Sequence, residues 1–146
     1  MSELILSPSA PATLIERAPT VDEFLALRAA VGWQNPERAV LADALAASRY
    51  AVCLAQAGQV IGCGRVIGDG FMFYIQDVVV LPAFQHHGYG QMIMGAIMAY
   101  IRGAMPPAGF VGLMAARGTT EFYTRFGFVA RPSEQFGPGM CLVSPV

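Results

Sequence analysis

The chain has 146 residues, 55% of them hydrophobic and 13% charged, with nine basic and ten acidic side chains for a net charge of −1. That length suits one domain that buries enough surface to need no staple, and the composition excludes a disordered tail. So balanced a charge also excludes the basic stripe of a nucleic-acid binder, so an anionic ligand must be held by local donors.

In chain order, residues 1–11 read as a flexible Ser/Pro/Ala leader and residues 12–146 as a single domain. "TLIERA" from Thr13 predicts a short strand. Thr20-Val21-Asp22-Glu23 has the form of a capping box, and a helix follows to Val31. Asn35-Pro36 predicts a second helix start, with Val40, Leu41, Ala44 and Leu45 as its apolar stripe. Three strands come next: "YAVCLA", "QVIGCGRVIG" and, after a tight "GDG", "FMFYIQDVVVL". A long helix is expected from about Gly88 to Arg102, with Tyr89, Met92, Ile93, Ala96, Ile97 and Tyr100 on one side. "GFVGLMAA" reads as a strand of the sheet centre, and "TTEFYTRFG" as a short helix ended by Gly127. "FVARP" and "MCLVSPV" predict a closing hairpin. The order β-α-α-β-β-β-α-β-α-β-β defines a mixed α/β (α+β) domain with a βαβ crossover.

The cysteines, Cys53, Cys63 and Cys141, match no metal knuckle and no CxxC pair. No metal site is expected. The N-terminus lacks a basic start and a long apolar run, so it does not read as a signal peptide. The run Met92 to Ile101 is about half of the ~20 residues that span a bilayer. A cytoplasmic protein without membrane or nucleic-acid partners is expected.

The chemistry concentrates in "VVVLPAFQHHGYGQ", Val78 to Gln91. Helix N-termini present free N–H donors and a positive dipole end, and glycines allow close approach to the backbone. Strand, Gly88-x-Gly90 and helix therefore suit a phosphate cradle, with a plain tight turn as the other reading. A Walker A loop fails for want of a lysine, and a Rossmann fingerprint fails because Gly95 comes too late and no acid follows. The second Gly-x-Gly, Gly62-Cys63-Gly64, lies within a strand and reads as a bulge or close packing.

The remaining pattern is Q-x-x-G-x-G, Gln85 to Gly90, after an apolar strand. Together with "EFYTRFGF" about 30 residues on, it strongly resembles the GNAT superfamily of N-acetyltransferases, over essentially residues 12–146. The resemblance implies the GNAT acyl-CoA N-acyltransferase fold and acetyl-CoA as co-substrate. It implies that Val78, Val79 and Val80 hold the thioester and pantetheine. It implies that Gln85, His86, His87, Gly88, Tyr89, Gly90 and Gln91 hold the pyrophosphate. Phe122 and Phe126 would contact the cofactor too, though either fits as a core aromatic. His86 and His87 stand where the family often has Arg, Gly or Lys. They read as solvated loop residues or as a pH-dependent supplement to the phosphate grip.

By the same resemblance Tyr123 is the general acid for the leaving thiolate, its phenol being a suitable donor. The base stays open. Alternation along the strand puts Tyr74 and Gln76 on one face and turns Asp77 away unless a bulge intervenes. All three are candidates for a proton relay. Arg28, Trp33, Tyr74 and Arg131 are candidate substrate contacts, with a salt bridge or core packing as the bland alternatives.

The expected activity is direct acetyl transfer in a ternary complex to the primary amine of a small molecule. A non-catalytic acyl-CoA sensor and a peptide or protein N-acetyltransferase are the alternatives. Edge strands also suggest a homodimer.

Overall fold

Thr20 and Glu23 do form the capping box: the Thr20 hydroxyl accepts from the Glu23 amide at 3.2 Å, and the Glu23 carboxylate from the Thr20 amide at 2.8 Å. In this computed structural model residues 10–145 are described, so the expected leader lies largely outside the described residues. The elements are β1 (Thr13–Ile15), α1 (Val21–Ala30), α2 (Arg38–Ala46), β2 (Tyr50–Gln56), β3 (Gln59–Gly68), β4 (Met72–Val80), α3 (Tyr89–Ala104), β5 (Phe110–Leu113) and α4 (Thr120–Thr124). The chain divides into two units after Leu113.

The first unit is built on one sheet of strand order β1-β2-β3-β4-β5. The first four strands are antiparallel, and β5 returns parallel to β4 after α3. The mixed α/β architecture follows from the sequence order.

Helices cover both faces of this sheet. On one, Phe24 and Leu27 of α1 and Leu41 and Leu45 of α2 form a buried cluster with Cys63 and Val79 of the sheet. Each such side chain contributes about 1.5–3 kcal/mol when fully buried. On the other, α3 buries Ile93, Met94, Ile97 and Ile101. This stripe is rotated from the expected one: Met92 is exposed, and Met94 and Ile101 turn inward. Gly62 and Gly64 of β3 let α3 approach, since a Cβ on Gly64 would stand 2.7 Å from atoms of both Ile93 and Ile97. The "GCG" run is therefore a close-packing site, and β3 also faces a bulge there.

Two further local expectations are corrected. Helix α2 begins later than Asn35-Pro36: its N-cap is Glu37, which makes no side-chain cap bond. Asn35 instead accepts a bond from Arg28 Nε at 2.9 Å. Strand β5 stands at the sheet edge among the described residues, half-buried rather than central. Its apolar run lacks a second strand neighbour to bury it.

In the second unit Thr119 is the N-cap of α4, but its hydroxyl donates to the Ala116 carbonyl (2.7 Å) instead of capping the helix. The closing hairpin expected over Phe128–Pro132 and Met140–Val146 is not formed among the described residues, and Val146 lies outside them. Prolines 132, 138 and 145 have no N–H for a ladder. Locally, Ser133 and Phe136 close a turn on themselves: the Ser133 amide donates to the Phe136 carbonyl (2.8 Å), and the Phe136 amide to the Ser133 hydroxyl (3.2 Å). Among the described residues no helix is long and apolar enough to cross a membrane.

Candidate functional site

The bulge that the sequence left open lies in β4. Cys63 pairs with Val79 and Arg65 with Gln76, so Gly64 alone stands opposite both Asp77 and Val78. One extra residue on β4 shifts the alternation by one step. Asp77 takes a left-handed φ of 55°, which Asp tolerates better than most side chains. In consequence Gln76 and Asp77 both face Arg65, whose Nη2 donates to Gln76 Oε1 (3.3 Å) and whose Nε donates to Asp77 Oδ2 (2.7 Å). Tyr74 shares this face by register, opposite Ile67. Val78 turns to the α3 face, near the position a Gly64 Cβ would occupy.

The Asp77 side chain is 4% exposed and carries two ion pairs. Its Oδ1 accepts from Arg28 Nη1 at 2.5 Å. Arg28 then spends its remaining nitrogens on the α1–α2 connection, Nε on Asn35 Oδ1 and Nη2 on the Gln34 carbonyl (2.8 Å). Its guanidinium also lies over the rings of Phe24 and Trp33, 5.5 and 5.4 Å from their centroids. Arg65 completes its own set on Ser48 Oγ and the Ala44 carbonyl. A buried carboxylate so held is costly to disturb: removing one partner of such a pair costs about 3–5 kcal/mol. Arg65 was not among the sequence candidates; its signal was a lone charge in the apolar run "IGCGRVIG".

β4 has a second peculiarity. Its parallel pairing with β5 ends at Ile75–Leu113, and no β5 residue pairs with Gln76–Val80. Among the described residues that half of β4 therefore has a sheet edge facing away from β3, with main-chain groups that can pair with an extended ligand.

The strand then runs through Leu81 and a 3-10 turn, Pro82–Phe84, into the glycine loop. Gln85 Nε2 donates to the Val80 carbonyl (3.0 Å), tying the loop back to the strand end. His86 has a φ of 66°, and Gly88, the N-cap of α3, has a φ of 80°. Among the described residues no side chain caps α3, and its first turn holds no acid. The first amides of a 16-residue helix thus have no side-chain acceptor, as suits an anion. His87 Nδ1 lies 2.7 Å from the Gln85 carbonyl and 3.2 Å from that of Phe84. Both are acceptors, so Nδ1 carries the hydrogen and Nε2 is left for a ligand. The His87 ring stacks on Tyr89, with centroids 5.9 Å apart.

In the second unit Tyr123 packs edge-on against Phe122 and Phe128, and Phe122 packs in turn on Phe126. Burial pushes the Tyr123 phenol above its ordinary value, so it is a proton donor at neutral pH. Arg131 lies over the Phe136 ring and donates from Nε to the Gly137 carbonyl (2.6 Å).

The buried thiols are ill suited to nucleophilic work. Burial raises Cys53 to about 11 and pushes Cys63 higher still. Among the described residues no group of three or more His, Cys, Asp or Glu side chains is placed to hold a metal ion.

A protein-family model described as an acetyltransferase (GNAT) domain matches residues 46–130. The chain is 30% identical over 107 residues to the uncharacterized N-acetyltransferase ycf52 of Porphyra purpurea, covering 70% of this chain and 60% of that protein. It thus spans less than two-thirds of that relative's length. Among solved structures, a protein of unknown function from meticillin-resistant Staphylococcus aureus, a probable acetyltransferase, is 32% identical with a TM-score of 0.83 over 92% of this chain and all of that one. A GNAT-family acetyltransferase of Streptococcus pneumoniae is 27% identical with a TM-score of 0.77, covering 92% and 98% of the two chains.

Proposed function

The chain belongs to the GNAT acetyltransferase family, an acyltransferase family, and from that premise we propose that it moves the acetyl group of acetyl-CoA directly to the primary amine of a small molecule, within a ternary complex. The observation that carries this reading is the continuity of three features: the open half-edge of β4 at Gln76–Val80, the bulge at Asp77–Val78 and the uncapped N-terminus of α3.

These features fit the co-substrate chemically. Main-chain groups of Val78, Val79 and Val80 suit an extended pantetheine arm with its amides, by the logic of an added strand. The amides from His86 to Gln91 suit a diphosphate without a lysine. Acetyl-CoA supplies an activated thioester, and the chain's own groups manage the protons. Tyr123, protonated at neutral pH, gives its proton to the departing thiolate. Tyr74 and Gln76, together on the α1 face of β4, can hydrogen-bond the amine and a water that carries its proton to solvent. Asp77, with each oxygen bound by an arginine, orients the bulge. A direct route is favoured over an acyl-cysteine because burial keeps the thiols of Cys53 and Cys63 protonated.

A small acceptor is favoured over a basic peptide by the near-neutral charge and by the α1–α2 connection drawn in around Arg28 and Trp33. The test is thiol release from acetyl-CoA with a panel of amino acids, polyamines, aminoglycosides, arylalkylamines and short peptides. Turnover with one class of small amines is expected. Turnover with Lys-rich peptides alone would overturn the small-molecule assignment. Binding of acetyl-CoA without turnover on any amine would favour a sensor.

A further inference from the structure

Arg28 joins two parts of the first unit that are distant in sequence. One is the bulge at Asp77–Val78, 49 residues away, reached through Asp77 Oδ1. The other is the α1–α2 connection, held at Gln34 and Asn35 and stacked through Trp33. The bulge residue sits in an unfavourable left-handed conformation, which persists only where the surroundings over-determine it. Arg28 and Arg65 supply that determination, one on each carboxylate oxygen. Any shift of the bulge must therefore move Arg28, and with it the connection carrying Trp33.

We propose that Arg28 is a positioning residue that couples the α1–α2 connection to the β4 bulge, so that filling the thioester end of the site orders the acceptor side. The coupling rests on the acetyl-CoA reading above. Arg28 acts through Asp77 and touches no reacting atom. Arg65 keeps Asp77 buried and charged-paired but contacts no part of the connection, so it is not interchangeable with Arg28.

Trp33 is the only tryptophan, so its fluorescence reports the connection directly. Iodide quenching of Trp33 is measured without ligand in the wild type, Arg28→Gln, Asp77→Asn and the double variant. Quenching should rise about twofold in each single variant and no further in the double, the signature of one shared interaction. A response in Arg28→Gln with none in Asp77→Asn would overturn the proposal, because it would leave only local packing of Arg28 on Trp33. Should either variant fail to fold by circular dichroism, Arg28→Lys keeps a cation for Asp77 while lacking the fork that reaches Gln34 and Asn35 together. It should raise quenching likewise, and a wild-type value in it would overturn the tether.

The second arm adds ligand. Acetyl-CoA should protect Trp33 from iodide in the wild type and lose that effect in Arg28→Gln. Its affinity there should fall on the order of tenfold, while adenosine 3′-phosphate 5′-diphosphate, which lacks the pantetheine and thioester, should bind within about twofold of wild type. Equal losses for both ligands would mark a general structural defect and overturn the coupling. Failure of acetyl-CoA to bind the wild type would instead overturn the function proposed above, and the ligand-free arm would still decide the tether.

Discussion

Gly62 of β3 lies so close to Val79 of β4 that a Cβ on the glycine would stand 2.8 Å from the Val79 carbonyl oxygen. The same atom would stand 3.0 Å from Ile93 Cδ1 of α3. A flexible side-chain end can yield, but the main chain of β4 cannot do so without moving the strand that leads into the glycine loop. Gly62→Ala is expected to destabilise the protein by about 1–3 kcal/mol, as overpacked cores do. Chemical denaturation with an unchanged slope would measure it. A midpoint equal to wild type would show that β3 and β4 separate more easily than their packing implies.

Tyr123 is the proposed acid. Tyr123→Phe keeps the ring that packs on Phe122 and Phe128 and removes only the proton. It should lower kcat by about 10²-fold while leaving acetyl-CoA affinity within about twofold. Because burial raises this phenol, the wild-type rate should not decline through loss of its proton anywhere in the neutral range. Steady-state kinetics and calorimetry read the two quantities separately. A variant with full kcat would remove Tyr123 from the chemistry.

Glu23 sets an acid limit on stability. Its carboxyl is held down at about 2, mainly by the Arg17 hydrogen bonds and then by the Thr20 amide, against an opposing effect of burial. The folded value lies below the ordinary one of 4.5, so the stabilisation is fully present above that value. It is lost as pH falls toward 2. Glu23→Gln keeps an acceptor for the Thr20 amide but loses the charge facing Arg17, so it should cost about 0.2–1 kcal/mol at neutral pH. The gap to wild type should close on acidification, read as converging thermal midpoints.

Recognition from sequence worked where the deciding contacts are local. The Thr20–Glu23 capping box spans four residues. Strand, proline turn, Gln85 and the glycines spell out the loop at α3 within one short stretch, because a helix start and a left-handed turn restrict residue choice in place. Strand boundaries were legible for β2 to β4, where apolar runs end at "QAGQ" and "GDG". The face of α3 was legible only approximately, since the stripe that turns inward depends on Gly62 and Gly64 beneath it. Helix α2 was misplaced because Asn35, a good cap by composition, is drawn off by Arg28.

By itself, then, the sequence determined the order of elements through α4, the glycine loop and the family. Each depends on short-range patterns of polarity, capping and φ. Tertiary structure alone decided three other things: that β4 bulges at Asp77, that Arg28 and Arg65 converge on that carboxylate, and that β5 leaves half of β4 unpaired. Register between strands, and ion pairs across 12 and 49 residues, are set by how the sheet and helices pack. No local window of sequence carries that information.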